Sequence, residues 1–152
     1  MKLQIRPYKP QDFRQLCAIW KAADIILDDT DTAKALRQNL RRDGYQVFVA
    51  ESRTIDEHTH QFIGKPRLAG GVIVTFDGHR GYIYHFVVHR DFRGMGLGRA
   101  LLETCERQAK FWGAQHLRLT SRVDSSRAVA RKLYQSLGWI RDDSICAYDK
   151  KI

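Results

Sequence analysis

The stretch that most constrains the fold is residues 87–102, Val-Val-His-Arg-Asp-Phe-Arg-Gly-Met-Gly-Leu-Gly-Arg-Ala-Leu-Leu. Phe86, Val87 and Val88 form an apolar run, a turn with glycine at 94, 96 and 98 follows, and the turn opens directly into an amphipathic segment. A strand, a glycine-rich turn and a helix in that order aim several unpaired N–H groups and the positive end of a helix dipole at one place. Such a place binds anions, and a pyrophosphate is its natural guest. Glycines let the backbone approach the phosphates with no Cβ in the way. The dinucleotide fingerprint needs a small residue at position 99, where Arg99 stands, and the nucleotide-triphosphate loop needs Gly-Lys followed by Ser or Thr, which is absent. In isolation the stretch also fits a glycine turn that only starts a helix.

The rest of the chain alternates strand and helix signals. Leu3 and Ile5 alternate with polar neighbours and predict a strand over 2–8, and Pro10 then opens a helix carrying Phe13, Leu16, Cys17 and Trp20 on one face. A second helix is expected over 32–42, stopped by Gly44, and a strand over 46–50. Residues 52–66 are polar and include Gly64 and Pro66, so a long exposed connection is expected. Strands over 68–76 and 82–88 flank Asp77-Gly78, a hairpin signal. A helix over 97–112 has Leu97, Leu101, Cys105, Ala109 and Trp112 on one face. A strand over 117–120, a helix over 126–137 and two short strands within 139–150 complete the pattern. Strands mixed with helices indicate an α/β or α+β sheet in one domain over 1–152.

Composition excludes several classes. An apolar fraction of 43% and an aromatic fraction of 11% suit a folded core. No apolar run is long enough to cross a bilayer, and residues 1–6 lack the apolar region of a signal peptide. Cys17, Cys105 and Cys146 form no CxxC pair and fit reduced thiols, so a cytoplasmic protein without a membrane partner is expected. The net charge of +9 suits a phosphorylated cofactor, an acidic surface or nucleic acid. No nucleic-acid recognition motif accompanies it, so nucleic acid is not an expected partner. His58 and His60 lack further ligands nearby, and no metal is expected. Oligomeric state is not readable, and a homodimer stays open.

Two motifs resemble those of the GNAT superfamily of acetyl-CoA-dependent N-acetyltransferases. Arg93-Gly94-Met95-Gly96-Leu97-Gly98 is similar to that family's R/Q-x-x-G-x-G/A signature, and Ser126-Arg127-Ala128-Val129-Ala130-Arg131-Lys132-Leu133-Tyr134-Gln135-Ser136-Leu137-Gly138-Trp139 is similar to its S-N-x-x-A-x-x-L-Y-x-x-L-G-F helix. They cover the C-terminal half; the N-terminal half matches in its order of elements. The resemblance implies a mixed, splayed central sheet of about six to seven strands flanked by about four helices. Acetyl-CoA would lie as co-substrate between the fourth and fifth strands. Val87, Val88, Arg93, Gly94, Met95, Gly96, Leu97, Gly98, Arg99 and Arg131 would bind it. Arg127 stands where the family often has Asn.

The resemblance also implies direct transfer to a small-molecule or peptide amine within a ternary complex. An acetyl-CoA-binding module without catalysis is the alternative. A lysine-like amine must lose a proton at a cost of about 4–5 kcal/mol at pH 7, the oxyanion needs donors, and the leaving thiolate needs a proton. Backbone N–H groups near Val87 or Val88 would meet the oxyanion, and Tyr134 matches the family's general acid. Tyr82 and Tyr84 hold positions that face the acceptor in relatives. Strand alternation sends His85 to the opposite face unless a bulge changes the parity, and the pattern favours a structural histidine. Asp28 and Asp29, with Asp24 and Asp31, crowd a connection that lines the acceptor cleft in the family. There they would favour a cationic amine, although helix capping explains such aspartates equally well.

Overall fold

In the computed structural model, which describes residues 1–152, one five-stranded sheet carries the architecture, with strands in the order β1-β2-β3-β4-β5. The strands are β1 (Lys2–Pro7), β2 (Tyr45–Ile55), β3 (Phe62–Phe76), β4 (Gly81–Val88) and β5 (Leu117–Leu119). All neighbours pair antiparallel except β4 and β5, which run parallel. The helices are α1 (Phe13–Ala22), α2 (Ala33–Asn39), α3 (Leu97–Phe111) and α4 (Ala128–Ser136). Two compact units result, Met1–Thr120 with the whole sheet and Ser121–Ile152 with α4. No helix is long and apolar enough to cross a membrane.

The sheet is sandwiched because its central strands are apolar on both faces. On one face Leu16, Ile19 and Trp20 of α1 and Leu36 of α2 cluster with Val47, Val49, Ile73 and Val87. The alternate residues Phe48, Ala50, Val72 and Val74 are also buried, and α3 packs on β2, β3 and β4 with Leu101, Leu102, Cys105 and Ala109 buried. Burying a side chain of this kind contributes about 1.5–3 kcal/mol, so the two layers dominate stability. Pro10 and the Asp12 carboxylate, which accepts from the Lys9 N–H at 2.7 Å, set where α1 begins.

A buried ionic cluster ties the first strand to the second. Arg6 on β1 donates to both Asp12 oxygens at 2.7 and 3.0 Å and through Nε to Glu51 on β2 at 2.7 Å. Arg53 donates to the same Glu51. Asp12 and Glu51 are only 4% and 2% exposed. Burial alone would raise both carboxyls, but the arginine bonds outweigh it and hold both below their ordinary values.

Two expectations are corrected here. The sheet has five strands instead of six to seven, because residues 139–152 form no strand. There Asp142 accepts from the Ser144 N–H at 3.0 Å and Arg141 pairs with Asp143 at 2.6 Å, so local turn bonds take the polar groups. The expected connection over 52–66 is instead the far end of a β2–β3 hairpin, paired to Ile55 and Phe62. Asp56 closes it, accepting from the His58 and Thr59 N–H groups at 2.9 and 2.8 Å. This end stands in solvent, so its strands need no apolar residues, and Gly64 and Pro66 sit in a bulged stretch where a ladder donor is not required.

Arg6→Met should destabilise the protein by about 3–5 kcal/mol, because it takes the arginine from buried Asp12 and leaves buried Glu51 with Arg53 alone. In the native protein this contribution is present above the ordinary carboxyl values of 3.8 and 4.5 and is lost as pH falls through the lower folded values. Denaturant titration of both proteins between pH 7 and pH 3 checks this; a constant difference across that range would count against it.

Candidate functional site

The candidate site is built on β4. On one side β4 pairs with β3 from Gly81 to Val88, but β5 covers only Gly81, Tyr82 and Ile83 on the other. From Tyr84 to Val88 the β5-side edge therefore has no strand beside it. The register against β3 also slips: Tyr84 faces Ile73 and Val87 faces Gly71, so β4 holds one extra residue. His85 sits in that bulge with a left-handed φ of 51°.

After Val88 the chain makes a short turn over Arg90–Phe92 and then enters the glycine loop. Phe92 is buried, Arg67 lies over its ring at 5.3 Å, and Arg67 pairs with Asp91 at 2.8 Å. Arg93 folds back and donates through Nε to the Val88 carbonyl at 3.2 Å. Gly94 and Gly96 both have φ of 78°, which an L side chain adopts only at a cost. A Cβ at either would meet nothing within 4 Å, so the space ahead of the loop is open. Met95 and Arg99 are exposed, whereas Leu97 is buried and anchors the helix start.

α3 begins with no side-chain cap and no acidic residue in its first turn. Its leading N–H groups, near Leu97, Gly98 and Arg99, therefore face outward with the positive end of the helix dipole. Open space, flexible glycines, uncapped donors and the arginines 93 and 99 fit a pyrophosphate.

The acceptor candidates occupy one face of β4. Tyr82 and Tyr84 stack with centroids 6.2 Å apart, and Tyr84 is 48% exposed. Burial, then the neighbouring Tyr82 and Asp77, push the Tyr84 phenol up, so it is neutral at pH 7 and no base. His85 does not go to the opposite face. The bulge turns it toward α1 and the turn Asp29–Asp31, where it packs edge-on to Trp20 and its Nε2 meets Asp31 Oδ1 at 2.6 Å. Simple alternation fails here because the extra residue shifts the side-chain parity.

The aspartates are largely engaged in local bonds. Asp28 accepts from the Thr30 N–H and hydroxyl at 2.7 and 2.5 Å, and these bonds hold its carboxyl below the usual value. Asp31 accepts from the Asp28 N–H at 3.0 Å. Asp29 is exposed. Asp31 as the partner of His85 carried no sequence signal, since 54 positions separate them.

Within the second unit, Asp124 caps the turn before α4 by accepting from the Ser126 N–H at 2.9 Å. Arg131 donates through Nη1 to the carbonyls of Arg122 and Asp124 at 2.6 and 2.7 Å, which ties the helix to the segment before it. Tyr134 lies partly buried, 6.2 Å from the Trp139 ring. Burial raises its phenol, only partly countered by Arg127, so it keeps its proton at neutral pH.

The chain is similar to known proteins over most of its length. A family model described as Acetyltransferase (GNAT) family matches residues 13–139. An acetyltransferase of Sodalis glossinidius is 25% identical over 150 residues, covering 99% of this chain and 96% of the relative. One of Yersinia enterocolitica is 27% identical over 143 residues, covering 94% and 92%. Among solved structures, the aminoglycoside N-acetyltransferase AAC(6')-Iy in complex with a bisubstrate analogue, CoA-S-monomethyl-acetylneamine, has a TM-score of 0.74 at 15% identity over 100% of both chains. Glucosamine-6-phosphate N-acetyltransferase from Arabidopsis thaliana has a TM-score of 0.69 at 18% identity over 99% of both chains. At such identities these two likenesses establish the fold.

The left-handed turn makes a direct claim about stability. Gly96→Ala should cost about 1–2 kcal/mol by denaturant titration, all of it conformational because the added Cβ touches nothing. An unchanged midpoint would mean that the turn does not hold its left-handed geometry.

Proposed function

The chain belongs to the acetyltransferase (GNAT) family, and from that premise we propose that it carries an acetyl group from acetyl-CoA to a primary amine of a small molecule or peptide, by direct transfer with both substrates bound. The observation that carries this reading is the uncapped start of α3 behind Gly94 and Gly96, at the end of a strand whose β5-side edge is open. Residues 1–152 act as one catalytic domain, since the family match runs through both compact units. Three free cysteines support a cytoplasmic setting.

Bound acetyl-CoA supplies a thioester, an acyl group already activated for attack by an amine. The N–H groups of Gly94 to Arg99, with the side chains of Arg93 and Arg99, hold the pyrophosphate; three or four charge-assisted bonds at about 1.5–3 kcal/mol each suffice for useful affinity. Backbone at Val87 and Val88 hydrogen-bonds the pantetheine arm and the oxyanion, a role supported by the missing strand neighbour there. Tyr134 donates its proton to the departing sulfur, and its raised phenol suits a group that must arrive protonated. Arg131 contributes by fixing the segment before α4, with its remaining N–H groups free to meet a cofactor phosphate. Tyr82, Tyr84, Asp28 and Asp29 line the acceptor side and favour a cationic amine.

Incubation with acetyl-CoA and an amine panel, followed by release of free thiol, tests the reading. Thiol release with at least one amine, and a Tyr134→Phe variant that binds acetyl-CoA normally yet turns over about 100- to 10,000-fold more slowly, are the expected results. Binding without thiol release from any amine would instead identify a non-catalytic acetyl-CoA sensor.

A further inference from the structure

His85 is the one imidazole on the acceptor face of β4, and the fold goes to some cost to place it there. Its left-handed φ of 51° is strained for a residue with a side chain, by about 1–2 kcal/mol. Strain of this kind persists only where the surroundings enforce it, and it gathers at functional positions. The enforcing contacts are visible. Trp20, fully buried, packs edge-on to the imidazole with centroids 5.0 Å apart. Asp31, itself 7% exposed, holds Nε2 at 2.6 Å through Oδ1 while its Oδ2 accepts from the Asp28 N–H at 3.0 Å. The carboxylate is thus fixed at both oxygens, and the ring is fixed by the carboxylate.

That geometry determines the tautomer. With a carboxylate on Nε2, the hydrogen resides there and Nδ1 carries the lone pair. The side chain keeps 19% of its surface open and stands on the same side of the sheet as Tyr84. It also lies two residues before Val87, on the stretch of β4 that β5 leaves uncovered. The charged and titratable neighbours are Asp31 and Asp28 from the turn after α1 and Tyr84 from β4 itself.

We propose that His85, oriented by Asp31, is the base that takes the proton from the acceptor amine, directly or through one water; this rests on the acetyltransferase reading above. The ammonium gives one proton to Nδ1 and becomes a neutral amine. Its lone pair forms the N–C bond to the acyl carbon, and the C–S bond breaks. The nitrogen of the tetrahedral adduct gives up its second proton as the departing sulfur takes one up, and His85 returns its own proton to water. The sum is one amide, one thiol and one proton released. Asp31 is a positioning residue in this scheme, since it bonds the imidazole and the Asp28 N–H and none of the reacting atoms.

The test compares His85→Gln and His85→Gly with wild type on two acceptors, an alkylamine that is an ammonium at pH 7 and an arylamine that is already neutral. Glycine relieves the left-handed backbone strain, which offsets part of what is lost with the Trp20 and Asp31 contacts, and a denaturant titration of each variant reads the remainder. Both variants should keep the acetyl-CoA-induced rise in Tm. Turnover should fall about 100- to 10,000-fold on the alkylamine, and less than about tenfold on the arylamine. Added imidazole should restore alkylamine turnover in His85→Gly. Asp31→Asn should show the same alkylamine-selective loss to a smaller degree. Equal losses on both amines, no loss on either, or disappearance of the acetyl-CoA shift in both variants would make His85 a structural residue and overturn the proposal. A wild-type protein inactive on every amine would instead overturn the acetyltransferase reading and this proposal together.

Discussion

Everything around the site depends on how β4 is paired. β3 holds it over its whole length, whereas β5 runs parallel to it for three residues and then leaves. A fully paired parallel strand would bury its backbone groups and leave nothing for a ligand to bond. Here one antiparallel neighbour supplies rigidity while the other edge stays open, and α3 starts a few residues beyond the open end. Rigid support beside exposed donors is what a preorganised anion and acyl site requires.

The bulge in β4 has a second consequence. By inserting a residue between Tyr84 and Val87 it places Tyr84, His85 and Val87 on the α1 side of the sheet. The strain at His85 is small beside the apolar layers that enclose the sheet, and the Arg6 cluster secures the opposite end, where β1 meets β2. Stability is thus concentrated in the core and the Arg6 ion cluster, while the β4 edge and the loop carry the irregular backbone.

The glycine loop and α3 were legible in the sequence because their signals are local: glycines at 94, 96 and 98, then a helical apolar period from Leu97 to Ala109. The bulge was not, since an inserted residue leaves a run such as Gly81–Val88 looking like any apolar strand. The His85–Asp31 contact was hidden for a related reason: it joins a strand to a distant turn, and both residues have commonplace local explanations. The far half of the β2–β3 hairpin read as loop because apolar alternation reports burial, and that hairpin end is solvated on both faces. Residues 139–150 show the converse error, for Ile140, Ile145, Cys146 and Tyr148 supply β-formers whose segment forms no strand in the structure. Tyr134 was picked out by motif alone, and its partial burial beside Trp139 adds the physical reason that it stays protonated.

The central claim is that the open edge of β4 and the start of α3 together form the CoA site. Backbone amide spectra recorded while CoA is titrated into isotopically labelled protein test it most directly. The account expects the largest shifts at Gly94, Gly96, Gly98 and Arg99, with a second group at Val87 and Val88. Saturable CoA binding that leaves those six amides unmoved, with the changes concentrated elsewhere on the protein, would contradict it.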